Sequence, residues 1–229
     1  MQHVSFLGCR KNILPMTLRG AIFDADGTLI DSMYIWHELG ARYLLSLNIT
    51  PEENLSSKLY PMSLEQSCKY LKTHYGLRDS EGDIYSGILG IIEGFYRDEV
   101  TLKDGVREFL SAMSDKNIHM VIATSGSREL LSYALERNEI AEYFEEIFTC
   151  TELNTTKHEP DIFMACAEFL GMTPANIGVF EDALFALETA KRAGFVTFGV
   201  KDSSNAHQWE IIQSTADYTI ESFTGGINS

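Results

Sequence analysis

The run Ala21-Ile22-Phe23-Asp24-Ala25-Asp26-Gly27-Thr28-Leu29-Ile30 constrains this chain more than any other segment. A short apolar stretch reads as a buried strand. It stops at two carboxylates one residue apart, and a glycine follows. In a parallel α/β sheet, ligands bind at the carboxyl ends of the strands, so both acids stand at the mouth of a site. An aspartate so placed can attack phosphorus and form an aspartyl-phosphate, which makes Asp24 the candidate nucleophile. Asp26 can donate a proton to a leaving group and later take one from water. Gly27 lets the chain turn sharply away from the strand. The same string also suits a plain acidic turn, because Asp and Gly are common turn residues. Later segments decide between the two.

Beyond residue 30 the periodicity changes. Residues 32–47 place Ile35, Trp36, Leu39, Tyr43, Leu44 and Leu47 on a helical stripe. Thr50 and Pro51 predict a helix start, with Thr50 as N-cap and Pro51 in the first turn. Helical patterns continue over 64–75 and 84–96, with Gly76 ending the first. No strand is expected within residues 33–96, which read as an all-helical insertion. Further on, the spacing predicts helices at 106–116, 127–137, 160–170 and 184–193. Strands are expected at 118–123, 146–149, 177–180, 196–200 and 218–220. Such alternation with short connections means a parallel sheet covered on both faces. Residues 16–32 and 97–229 form that α/β core. Residues 1–15 read as a loose extension or an unused upstream start before Met16, and the tail at 225–229 is expected to fray.

Three later segments carry chemistry of their own. Thr124-Ser125-Gly126-Ser127 follows one strand and opens the next helix. A hydroxyl beside free backbone N–H groups at a helix N-terminus makes a phosphate cradle, which marks Thr124 and Ser125 as substrate-binding candidates. Ser and Thr are also frequent N-caps with no ligand. Glu181 and Asp182 close the strand at 177–180. Adjacent carboxylates repel, and a divalent cation between them and Asp24 resolves the conflict. Magnesium suits, since it takes hard oxygen ligands and few of them from protein. The third segment holds Lys157, just before Pro160 and a helix. The chain carries 33 Asp and Glu against 18 Lys and Arg, a net charge of −15. That balance sets it against generic nucleic-acid binding and demands a local positive site for an anionic substrate. A lysine is most often a solvated surface charge, but Lys157 can neutralise phosphate and nucleophile as they approach.

In this order, the four segments resemble motifs I to IV of the haloacid dehalogenase (HAD) superfamily of phosphotransferases and phosphatases, over residues 18–220. The resemblance implies a Rossmann-like α/β core with a parallel sheet, plus a helical cap domain at 33–96. It implies that Thr124 holds a phosphoryl oxygen and that Lys157 is the motif III lysine. Asp24 and Asp182 would give carboxylate oxygens to Mg2+, Asp26 its backbone carbonyl, and Glu181 an inner- or outer-sphere contact. Two departures stand out. His158 occupies the first proline position of the usual Lys-Pro-x-Pro-Asp, and Ala183 and Ala186 replace a common Ser and Gly. The lost serine removes a hydroxyl beside the metal ligands.

Asp26 separates the chain from the family's dehalogenases, which attack carbon and need no acid there. Phosphonate hydrolases also lack it and use a cap lysine as a Schiff base, whereas Lys58, Lys69 and Lys72 read as surface charges. Phosphoryl chemistry remains. The cap is similar to that of the β-phosphoglucomutase-like subgroup, which includes mutases and small-molecule phosphatases. Mutases carry a Thr-Ala-Glu-x-His run after motif I. Here Trp36 takes the histidine position in Ser32-Met33-Tyr34-Ile35-Trp36, and His37 lies about 100° further round the helix, on its surface. Residues 59–63 lack the arginine that mutases use to grip a second phosphate. Both absences favour a magnesium-dependent phosphatase acting on a small phosphomonoester, such as a sugar phosphate, through an aspartyl-phosphate. The alternatives are β-phosphoglucomutase-type transfer and a non-catalytic HAD-like binding protein. Trp36, Tyr60 and Met62 are candidates to line the substrate pocket, with cap core the expected placement for each.

Cys9, Cys68, Cys150 and Cys166 form no CxxC pair and no zinc spacing, which fits reduced thiols in a cytosolic protein. No apolar run approaches the roughly 18 residues of a membrane span. The expectation is therefore a cytoplasmic monomer whose partner is a small phosphorylated metabolite, with neither nucleic acid nor membrane as a partner.

Overall fold

The computed structural model describes residues 18–225. The extension at 1–15, Met16, Cys9 and the tail beyond Gly225 lie outside the described residues. Six strands form one sheet: β1 (Gly20–Phe23), β2 (His119–Thr124), β3 (Ile147–Thr149), β4 (Ile177–Glu181), β5 (Val196–Val200) and β6 (Tyr218–Ile220). Their order is β3-β2-β1-β4-β5-β6, and every pairing is parallel. The chain therefore winds outward from β1 on one side and returns to wind outward on the other. The carboxyl ends of β1 and its neighbours form the crevice where such sheets bind ligands.

β1 and β4 are apolar because both of their faces are covered. Successive side chains alternate between two cores. Ala21, Phe23, Met120, Ile122, Phe180 and Phe198 join one of them. Ile22, Val121, Val179 and Ile177 join the other, against Ile162 and Phe163 of α7 (Asp161–Leu170) and Ala186 and Ala190 of α8 (Leu184–Arg192). In-register pairing lines up an aromatic ladder across four strands. Phe23 stacks on Phe180 at 4.4 Å, Phe180 on Phe198 at 4.3 Å, and Phe198 on Tyr218 at 5.0 Å between ring centroids.

Between β1 and β2 the elements are helical, as expected: α1 (Ile35–Ser46), α2 (Leu55–Leu59), α3 (Leu64–Tyr75), α4 (Glu81–Gly94), and a π-helical turn at Phe95–Glu99. α5 (Val106–Ser114) then leads into β2, and α6 (Arg128–Arg137) follows it. α3 has the bounds its periodicity predicts, and Gly76 ends it at φ 62°. Ser63 and Ser80 open α3 and α4 as capping boxes.

Several expectations are corrected. Thr50 caps no helix. α2 starts only at Leu55, because residue 52 is tied to α3: the Glu52 N–H donates to Tyr75 Oη (3.1 Å) and its carboxylate accepts from Tyr70 Oη (3.1 Å), while also pairing with Lys58 of α2 (2.6 Å). α4 begins at Glu81 rather than residue 84, where its cap serine fixes the end. α9 (Trp209–Thr215) has only Trp209 and Ile212 buried in seven residues, too little to show a period. Nor are Trp36 and Tyr60 cap core: they are 51% and 73% exposed. Ile35, Leu39, Tyr43 and Leu44 make the buried face of α1, and Trp36 stands one helical step off it. Leu47 is likewise exposed, and Met62 is half-buried.

Candidate active site

Pairing of β1 with β4 sets Phe23 opposite Phe180, so Asp24 and Glu181 emerge side by side. The Asp24 N–H extends the ladder by donating to Phe180 O at 2.9 Å. One oxygen each from Asp24, Glu181 and Asp182 lies within 4.8 Å of the others, and all three residues are buried. Lys157 reaches them from the loop before α7. Its ammonium donates to Asp24 Oδ1 and to Glu181 Oε2, the latter at 2.7 Å, and is itself buried. The structure thus brings together four of the residues singled out in the sequence, three carboxylates at strand ends and Lys157 from a loop.

Three carboxylates around one ammonium leave excess negative charge in a water-poor pocket. Burial, then the neighbouring Glu181, pushes the Asp24 carboxyl up to about 7. The same two causes raise Asp182 well above the ordinary carboxylate range. Burial opposes the charge on Lys157, but Asp24 and Glu181 outweigh it and raise the lysine above its usual range. Asp24 Oδ2 is buried with no hydrogen-bond partner. An orphaned oxygen within an all-oxygen, net-negative donor set fits a hard divalent cation, which Asp24, Glu181 and Asp182 would hold.

The remaining candidates ring this centre. Thr124 ends β2 fully buried, and its Oγ1 accepts the Gly126 N–H at 2.9 Å, which leaves the hydroxyl proton free to donate. A Cβ on Gly126 would sit 3.2 Å from both Thr124 Oγ1 and Asp26 Oδ2, so a glycine here lets the backbone pass close beside both side chains. Ser125 is exposed and contacts Cys150 Sγ at 3.6 Å. The Asp26 side chain accepts from Ser32 Oγ and Tyr96 Oη. Gly27 has φ 81°, and a Cβ there would come within 2.6 Å of Asp182 Oδ2. Only glycine turns the chain this close to the acids.

The first departure from the family pattern has a visible substitute. The His158 ring stacks on Phe185 at 4.2 Å, and its carbonyl accepts from Thr189 Oγ1 at 3.2 Å, which braces the loop without the proline. Lys157 keeps its aim. Beside the missing serine, the Ala183 N–H donates to Glu181 Oε1 at 3.1 Å. Cys68, Cys150 and Cys166 are free thiols and buried.

Other contributors carried no local signal. Asn205 Nδ2 donates to the carbonyls of Asp182 (3.0 Å) and Val200 (2.9 Å), pinning the chain behind the acids. Lys103 Nζ donates to Gly27 O (2.8 Å), Lys201 O (2.7 Å) and Asp202 Oδ2 (2.7 Å). Tyr96 lies 70 residues from the carboxylate it bonds. Among the described residues, no helix is long and apolar enough to cross a membrane.

A parallel sheet with a buried carboxylate–lysine centre at its middle strands is the arrangement of a HAD-type α/β fold. The chain belongs to the haloacid dehalogenase-like hydrolase family, whose model matches residues 21–200. It is 30% identical over 183 residues to hexitol phosphatase A of Escherichia coli, covering 78% of this chain and 81% of that protein. It is 25% identical over 189 residues to a phosphorylated carbohydrates phosphatase of Thermotoga maritima, covering 82% and 88%. A crystal structure from Thermotoga maritima, provisionally assigned as a beta-phosphoglucomutase, superposes with a TM-score of 0.80 at 23% identity, covering 91% and 96%. That likeness is one of fold.

Proposed function

We propose that this protein is a magnesium-dependent phosphatase that hydrolyses a small phosphomonoester, a sugar phosphate or similar metabolite, through an aspartyl-phosphate on Asp24. The observation that carries this reading is the orphaned Asp24 Oδ2, buried beside Lys157, Glu181 and Asp182. Names among the relatives, a hexitol phosphatase and a phosphorylated carbohydrates phosphatase, support the substrate class.

Bound magnesium would supply charge neutralisation and a fixed orientation for the phosphoryl group. The chain's own residues do the rest. Asp24 attacks phosphorus in line while Asp26 protonates the leaving oxygen. Thr124 and the Gly126 region take one face of the phosphoryl oxygens, and Lys157 offsets their charge. Asp26 then takes a proton from water as water attacks the aspartyl-phosphate. Residues 33–96 act as a cap that closes over the substrate and excludes bulk water. The all-helical run between β1 and β2 supports that division of the chain.

The test is phosphate release from a panel of sugar and polyol phosphates, with and without magnesium, beside Asp24→Asn. Magnesium-dependent release that vanishes in the variant is the expected result. Conversion of β-glucose 1-phosphate to glucose 6-phosphate on adding a bisphosphate, without phosphate release, would replace hydrolysis by the mutase reading. Undiminished release by Asp24→Asn would remove Asp24 as nucleophile.

A further inference from the structure

The helical segment joins the sheet through two stretches of chain, one leaving β1 and one returning through the π-helical turn at Phe95–Glu99. Each contributes one hydroxyl, and both hydroxyls meet on a single atom. Ser32 Oγ donates to Asp26 Oδ1 at 2.6 Å, and Tyr96 Oη donates to the same oxygen. Both donors are buried, Ser32 fully and Tyr96 at 5% exposure. π-Helical turns re-aim a side chain within a helix and recur at functional sites. This one is held firmly: the Phe95 ring meets Tyr34 edge-on at 5.5 Å and lies under the Arg42 guanidinium at 5.6 Å, and Val100 N–H donates to Phe95 O at 2.9 Å.

The other carboxylate oxygen points elsewhere. Asp26 Oδ2 faces the Thr124–Gly126 cradle, 3.2 Å from where a Cβ on Gly126 would lie. Among the described residues, both hydrogen bonds that reach this carboxylate end on Oδ1. One oxygen is anchored and the other is left facing the space where a phosphoryl group would sit.

Resting on the phosphatase reading, we propose that Ser32 and Tyr96 form a hydroxyl clasp on Asp26 Oδ1. The clasp holds the carboxyl so that Oδ2 alone exchanges the proton with the leaving group. In the first step an Asp24 oxygen bonds to phosphorus. The bond from phosphorus to the leaving oxygen breaks, and its electron pair stays on that oxygen, which takes the proton from Asp26 Oδ2. In the second step a water oxygen bonds to phosphorus, its proton passes to Asp26 Oδ2, and the electron pair of the breaking bond returns to Asp24. Ser32 and Tyr96 are positioning residues in both steps. Because they sit on the two connections, the acid is aimed only while the helical segment is seated against the sheet.

A change of leaving group separates this role from a structural one. p-Nitrophenolate departs without a proton, whereas the alkoxide of sorbitol 6-phosphate needs one. With the full chain and magnesium, Tyr96→Phe is expected to lower kcat/KM for sorbitol 6-phosphate, which reports the first step alone, by about 10–100-fold. The loss in kcat/KM on p-nitrophenyl phosphate should be under about threefold, because that leaving group needs no proton in the first step. Ser32→Ala should show the same imbalance, and both variants should melt near the wild-type temperature. Equal losses in kcat/KM on the two substrates, or no loss on either, would overturn the clasp. A wild-type protein that cleaves neither substrate sinks the phosphatase reading instead, and the clasp is then judged without turnover. A downfield hydroxyl proton resonance should be present in the wild type and absent from Tyr96→Phe; its absence from the wild type overturns the contact.

Discussion

Phe23 and Phe180 stack with their ring planes 16° apart, and each immediately precedes a carboxylate of the site, Asp24 and Glu181. The aromatic pair therefore packs beneath the two strand ends that carry the acids, whose spacing the β1–β4 pairing fixes. Phe180 is fully buried and also touches Phe198 and the edge of Phe109. Phe180→Ala is expected to cost about 3–5 kcal/mol in urea unfolding, the usual penalty for an emptied aromatic site. kcat should fall with it, because Asp24 and Glu181 lose their common platform. Phe180→Leu, which refills part of the space, should cost less in both measurements.

Asp24→Asn separates chemistry from stability. The nucleophile is gone, so turnover should drop below detection. The fold should hold, because the change removes one of three crowded carboxylates from a buried pocket. In metal-free buffer its melting temperature is expected to equal or exceed that of the wild type near neutral pH. A clear drop in melting temperature would mean that the Asp24–Lys157 ion pair outweighs the repulsion among the acids.

Metal affinity should depend on pH. In the metal-free fold Asp24 keeps its proton to about 7, whereas the ordinary carboxylate releases it near 3.8. The stabilisation from that proton is complete below 3.8 and is lost as pH rises through about 7. A cation must displace such protons, so its binding tightens as pH rises. Magnesium should therefore raise the melting temperature more at about pH 8 than at about pH 6. Equal shifts at the two values would contradict the raised carboxyl.

Gly126→Ala tests the cradle. The added methyl would lie 3.2 Å from both Thr124 Oγ1 and Asp26 Oδ2, inside the space assigned to the phosphoryl group. A loss of about 100-fold in kcat/KM is expected, as for a misplacement of order 1 Å at a reacting centre. Thermal stability should change little, since the nearest atoms are ends of side chains.

Lys103 is a structural counterpart to these site residues. Burial works against the Asp202 charge, but the hydrogen bonds from Lys103 and the Ser204 N–H hold that carboxyl below its usual 3.8. Its stabilisation is present above 3.8 and is lost as pH falls through the lower folded value. Lys103→Met leaves Asp202 buried and unpaired, which should cost about 3–5 kcal/mol at neutral pH. The gap to wild type should shrink toward about pH 3, read by urea unfolding at both values. Release of the Gly27 carbonyl should also loosen the turn beside Asp182 and lower kcat.

Asp24, Thr124, Glu181 and Asp182 were legible one segment at a time, because an apolar run sets the depth of a strand and the next residue necessarily stands at its edge. Net charge showed that a local cation was needed, but which lysine supplies it was legible only through the motif III resemblance around Lys157. α3 was readable to the residue, since its capping box, stripe and final glycine all lie within it. What lay beyond the sequence depends on surfaces that meet only after folding. Tyr96 finds Asp26 across 70 residues through a π-helical turn with no periodic signature. Asn205 and Lys103 bond backbone carbonyls, which every residue possesses and none advertises. Trp36 and Tyr60 look like core by composition, yet which face of a helix is covered is settled by its neighbours. The sequence by itself determined which chemistry stands at each strand end, because strand burial is a local property. Only the tertiary structure decided how those groups are aimed, because aim is set by contacts between segments that share no local pattern.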